Sequence, residues 1–187
     1  ITTADSAGEL TIKVNVDNSH SNMFNINGFT DGVGQGAIIF NEASKDMDFK
    51  NTMRKSESSD NYMVVNKEGY MGAFQFGDAR LQDYKTANKE EFTNQEFLNN
   101  KDLQEKVFDW HVGDIVKYIQ DNNLDEAIGK KVNGVVITLN GLVAAAHLGG
   151  KFGMRQYVES GFDKKFNKED SNGTSLFDYI QRFQLTK

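Results

Sequence analysis

The stretch Ser56-Glu57-Ser58-Ser59-Asp60-Asn61-Tyr62, followed by Gly69-Tyr70-Met71-Gly72-Ala73-Phe74-Gln75-Phe76-Gly77, decides how this chain is read. Upstream of it, Met47, Phe49 and Met53 recur among charged residues over 41–58, the spacing of an amphipathic helix, with Ser44 as the expected N-cap. Glu57 then falls in the last helical turn. Tyr62 to Val65 and Tyr70 to Phe76 flank Asn66-Lys67-Glu68-Gly69, a polar run closing on glycine, which favours a small β-hairpin. The expected arrangement is one carboxylic acid at a helix end beside an aromatic hairpin.

Working outward, Thr93-Asn94-Gln95-Glu96 has the spacing of a capping box and opens a further helical region. Leu103, Val107, Trp110, Ile115, Tyr118 and Ile119 predict a long scaffold helix between Asn100 and Asn122. Thr138 is positioned to cap a helix over 139–148. Its Ala144-Ala145-Ala146 run admits close approach of another element, and Gly149-Gly150 reads as its stop. Shorter helices are expected around 154–159 and 174–183. At the other end, residues 9–17 alternate apolar and polar as a half-buried strand does, 18–35 read as an Asn/Gly/Ser-rich loop, and 37–40 as a second short strand. The fold class is therefore α+β and mostly helical, with a strand-and-loop segment over 1–40 and a main domain over 41–187.

Composition narrows the function classes. With 187 residues, 38% of them hydrophobic, the chain has material for a sizeable core. It lacks both an apolar run of the ~20 residues that span a bilayer and the pattern of a signal peptide. It begins at Ile1, and is expected to be a processed product or a piece of a longer protein. The absence of cysteine removes disulfides, thiolate metal sites and a cysteine nucleophile together. A net charge of −6 supplies no field for nucleic acid or an anionic membrane. The glycines at 28, 32, 34 and 36 lack the Gly-Lys-Ser/Thr ending of a phosphate loop, and residues 17–28 lack the closing glutamate of a calcium loop. His20, His111 and His147 show no zinc-ligand spacing, and no Gly-x-Ser-x-Gly elbow exists. Neither a metal nor a cofactor is expected.

What remains is carboxylate chemistry. Cleaving a glycosidic bond means protonating a poor leaving oxygen, so one carboxylic acid must keep its proton near neutral pH, as burial against apolar groups allows. Glu57 has Tyr62, Tyr70, Phe74 and Phe76 close in sequence to form such a wall. Taken alone it reads as a solvated helix-end charge, and it is the other strings that change this. Gly72 would let a sugar approach the backbone, and Gln75, between two core phenylalanines, would face the opposite side, toward a cleft. His147, in Ala144-Ala145-Ala146-His147-Leu148-Gly149-Gly150, either contacts substrate or fills a core position. Asp78 and Asp83 are candidates for a second carboxylate that positions water.

In order and spacing, the strings around Glu57-Ser58, Gly72-Ala73-Phe74-Gln75 and Ala146-His147-Leu148-Gly149-Gly150 resemble the lysozyme-like superfamily of peptidoglycan-cleaving enzymes, which includes goose-type lysozymes and lytic transglycosylases. They look closest to a bacterial subgroup found in secretion-delivered proteins. The resemblance spans about residues 50–183. It implies a muramidase cutting the β-1,4 bond between N-acetylmuramic acid and N-acetylglucosamine, with Glu57 as the acid. Gln75, Tyr62, Tyr70, His147 and Tyr157 would line the substrate. The alternatives are a lytic transglycosylase that forms 1,6-anhydro ends, and a non-catalytic glycan-binding module. His147-Leu148 stands where the family has Tyr-Asn, so that asparagine's substrate contact does not carry over. The resemblance also implies secretion or delivery to a bacterial periplasm as an antibacterial effector, with a cognate immunity protein as partner.

Overall fold

The computed structural model describes residues 3–4, 10–11 and 47–184, and the chain divides into two compact units, Ile1–Val33 and Gly34–Lys187. In the first, β1 (Thr3–Ala4) pairs antiparallel with β2 (Leu10–Thr11), Ala4 opposite Leu10. β2 falls inside the alternating run. The rest of that run, the glycine-rich loop over 18–35, the strand expected at 37–40 and the Ser44 cap lie outside the described residues.

The second unit is helical. α1 (Met47–Ser58) is followed by α2 (Asp78–Asn88), α3 (Asn94–Asn99) and α4 (Lys101–Asp121). A 3-10 turn (Leu124–Ala127) leads to the antiparallel pair β3 (Lys131–Val132) and β4 (Val135–Val136). Then come α5 (Leu139–Glu159) and, after a second 3-10 turn, α6 (Leu176–Arg182). Among the described residues no helix is long and apolar enough to cross a membrane.

α4 forms as its periodicity predicts. Asn100 caps it by accepting from the Leu103 amide, and Val107, Phe108, Val112, Ile115, Val116 and Ile119 make one buried face. The Thr93 capping box closes reciprocally with Glu96. α6 starts on the same device, with Ser175 and Asp178 as partners. The small-residue run of α5 does what its size permits. A Cβ on Gly141 would lie 3.1 Å from the Ile180 carbonyl oxygen, and one on Gly149 would lie 2.5 Å from Leu176 Cδ2, so α6 packs nearly backbone to backbone on α5. The expected helix stop is an interruption within α5: Gly150 sits at φ 76°, ψ 159°, and helix resumes beyond it.

Three local features differ from expectation. The hairpin over 62–76 does not form strands. Met71 bridges Val65 on one side and Phe76 on the other, so the chain doubles back twice and neither ladder extends. Asn66 Oδ1 accepts from the Glu68 and Tyr70 amides and closes the first turn, with Gly69 at φ 87°. α2 leaves no periodic trace in the sequence, because only Leu81 and Tyr84 are buried on it, too few apolar positions to mark a helical period. The β3–β4 pair turns on Asn133-Gly134, at φ 47° and 87°, which is the Asn-Gly signal of a two-residue hairpin standing unread in the sequence.

Candidate active site

Glu57 lies in the last turn of α1, where the chain leaves the helix through two left-handed residues, Ser59 (φ 54°) and Asp60 (φ 67°). Arg54 holds this exit by donating to Asp60 at 2.7 Å. Ser58 Oγ donates to the Ala73 carbonyl at 2.9 Å and accepts from the Asn61 amide at 3.0 Å, tying the helix end to the turn at 72–76. Glu57 Oε1 accepts from the Tyr179 hydroxyl at 2.6 Å and lies 4.0 Å from His147 Nε2. The Glu57 side chain keeps 14% of its surface exposed, so the carboxyl is sheltered yet reachable. The three sequence strings thus meet in space, joined by Tyr179 from α6.

Behind Glu57 runs a buried polar chain. His111 Nε2 and His147 Nδ1 are 3.0 Å apart, and Arg80 Nε donates to His111 Nδ1 at 2.7 Å. Arg80 also donates to Asp114 at 2.5 Å and lies 4.2 Å above the Trp110 ring, while Lys151 reaches Asp114 at 2.8 Å. Desolvation pushes both histidines below the ordinary imidazole range. For His111 the neighbouring His147, Arg80 and Lys151 add to it; for His147 the Glu57 charge and a hydrogen bond to the Phe74 backbone oppose it. Burial would raise the Asp114 carboxyl, but hydrogen bonds from Lys151 and Arg80 outweigh it and hold it below the usual value.

The other expected residues are distributed as follows. The Tyr62 hydroxyl donates to Glu105 rather than to Glu57, and burial together with that carboxylate pushes it up to about 12. Tyr70 is exposed and its ring lies beside Gly77. Phe74 stacks on Phe108 at 4.0 Å inside the core, and Phe76 stands edge-on to both histidine rings. The ring whose polar atom meets Glu57 is therefore Tyr179, not one of the four near it in sequence. Gln75, half-buried at φ 51°, donates from Nε2 to the Gly72 carbonyl at 2.9 Å. Asp78 accepts from Asn94 at 3.0 Å, and Asp83 pairs with Arg80 at 3.3 Å. Tyr157 is buried, edge-on to Phe162 at 5.2 Å.

Gly72 has a different reason to be glycine than the one expected. A Cβ there would sit 2.2 Å from Gln104 Oε1, so the missing side chain makes room for Gln104 and not for a sugar. Gln104, Tyr179, His111, Arg80 and Asp114 carry the surroundings of Glu57, and none was singled out from the sequence. A signal existed only for His111, a histidine on the apolar face of α4 beside Phe108, Val112 and Ile115. Among the described residues no group of three or more His, Cys, Asp or Glu could hold a metal ion. A cavity of about 800 Å³, lined among others by Leu124, Lys130, Val132 and Phe162, involves neither Glu57 nor its partners. Comparison with family models, curated proteins and solved structures finds no match to this chain.

Proposed function

We propose that this chain is a peptidoglycan glycosidase of lysozyme-like fold in which Glu57 protonates the leaving glycosidic oxygen. The observation that carries the reading is the setting of Glu57: a carboxyl at a helix end, hydrogen-bonded at 2.6 Å by a buried tyrosine, 14% exposed, and joined through Ser58 to the turn at 72–76. An acid placed this way keeps one oxygen organised by the protein and has access to a substrate oxygen. Gln75 Oε1 accepts no hydrogen bond from the described residues, which leaves a carbonyl for a substrate N–H or O–H. With a net charge of −6, the domain gains no electrostatic attraction to an anionic wall, which fits an effector delivered to its target and restrained in the producer by an immunity protein.

The acceptor of the cleaved sugar separates two versions. Asp78 and Asp83, the candidates for a second carboxylate, accept from Asn94 at 3.0 Å and pair with Arg80 at 3.3 Å. In the hydrolase version one of them positions the attacking water; in the transglycosylase version the sugar's own 6-hydroxyl attacks and Glu57 acts as acid and then base. Digestion of purified peptidoglycan with mass spectrometry of the muropeptides decides: reducing ends for hydrolysis, 1,6-anhydro ends for transglycosylation, and neither with Glu57→Gln. Undiminished cleavage by Glu57→Gln refutes both.

A further inference from the structure

The direction of the hydrogen bonds behind Glu57 is set by Arg80. A guanidinium offers only N–H groups, so the bond from Arg80 Nε at 2.7 Å requires a lone pair on His111 Nδ1. A neutral His111 then carries its proton on Nε2 and donates it across 3.0 Å to His147 Nδ1. His147 is left with its proton on Nε2, the nitrogen 4.0 Å from Glu57 Oε1.

We infer that Arg80 locks the His111–His147 pair in one tautomer, so that His147 turns an N–H and never a lone pair toward Glu57, making Arg80 a positioning residue for the ring beside the acid. This rests on the reading of Glu57 as the acid. The inverted tautomer that presents this lone pair needs a proton on His111 Nδ1, where it would face the Arg80 N–H, donor against donor. Protonating either ring meets the same obstacle: His111 would turn a second N–H on Arg80, and His147 would turn one on His111.

The surrounding groups act in the same sense. Arg80 and Asp83 approach from α2, Asp114 from α4, Lys151 and His147 from α5, Glu57 from α1 and Tyr179 from α6. Asp114 takes hydrogen bonds from both Arg80 and Lys151, and it holds the guanidinium with Nε turned to the ring. The Phe76 and Phe108 rings pack against both imidazoles at 5.2 to 6.4 Å, and His111 is 7% exposed. Burial of this kind disfavours a charged imidazole further.

The test reads the rings directly. Nitrogen-15 NMR of the native chain between pH 5 and 8 is expected to show His111 and His147 both protonated at Nε2, bare at Nδ1, and not titrating. In Arg80→Met the lock is released. One ring then carries a proton on Nδ1 or takes up a second proton in this range, and wall cleavage drops by about 10²-fold. Arg80→Lys, which keeps a cation and an N–H, restores the native spectrum. A proton on His147 Nδ1 in the native chain, titration of either ring there, or an Arg80→Met spectrum identical to native overturns the inference. Should Arg80→Met not fold, the native spectrum decides alone. Native tautomers as expected in a chain that cleaves no peptidoglycan refute the glycosidase reading and leave the lock intact.

Discussion

Replacing Gly72 by alanine puts a methyl group 2.2 Å from Gln104 Oε1 and 2.8 Å from its Cδ, at a residue whose φ is +76°. Gln104 is fully buried. Its Oε1 accepts from the Ala73 amide at 2.8 Å, and its Nε2 donates to the carbonyls of Tyr62, Phe97 and Leu98 at 2.9, 3.0 and 3.3 Å. One side chain thus pins the 62–76 loop to the α3–α4 corner. A left-handed alanine costs about 1 kcal/mol. Displacing the amide orphans the Ala73 N–H and at least one carbonyl, at about 1–3 kcal/mol each, so the expected loss is about 4 kcal/mol, a large part of a typical domain's stability. Urea unfolding of the native chain, Gly72→Ala, Gln104→Ala and the double variant measures it. With Gln104 truncated the methyl has room, only the backbone cost remains, and the cycle shows a coupling of about 3 kcal/mol. Equal cost of Gly72→Ala in both backgrounds refutes the steric account. Loss of glycan binding with unchanged stability would instead return Gly72 to the cleft.

Tyr179→Phe removes the hydroxyl donor to Glu57, a bond that becomes charge-assisted, at about 1.5–3 kcal/mol, as the carboxyl gives up its proton, and is expected to lower kcat on peptidoglycan about tenfold or more with KM little changed and the circular dichroism spectrum native. Because both described histidines bind protons less readily folded than unfolded, stability is complete above about pH 6.5 and falls below it by about 1.4 kcal/mol per pH unit for each ring, down to its folded value. Urea midpoints between pH 7 and 5 should show this slope, reduced by about half in His147→Gln. Asp114 and Glu105, both held below the ordinary carboxylate range by their cationic and hydroxyl partners despite burial, act in a lower window. Their contribution is present above about pH 4 and is lost as pH falls through their folded values. Gly150→Ala is expected to cost about 1–3 kcal/mol from backbone strain alone, since its Cβ would meet nothing within 4 Å; no change in thermal midpoint would refute the assigned break in α5.

The elements that could be read in advance are those whose instructions are local. The Thr93–Glu96 box needs only residues within one turn, and α4 declares itself because its apolar side chains repeat along one face of 21 residues. Thr138 caps α5 by accepting from the Gly141 amide, three residues on. The hairpin expectation failed on the same ground: alternation and a polar turn describe a short ladder, yet Met71 pairs in two directions because Gln104, from another helix, anchors the loop.

The sequence by itself determined that this is a mostly helical α+β chain carrying Glu57 at the end of a helix before an aromatic, glycine-punctuated turn. Periodicity, capping and backbone preference act over a few residues and leave a direct trace in their order. Only the tertiary structure decided what stands around that glutamate. Tyr179 reaches it from 122 positions away, and His111 meets His147 across 36. Nor could spacing show that Gly72 exists for Gln104, or that Arg80 sets the direction of the histidine pair. Contacts between helices obey packing and hydrogen-bond geometry in three dimensions, and such partners share no period along the chain.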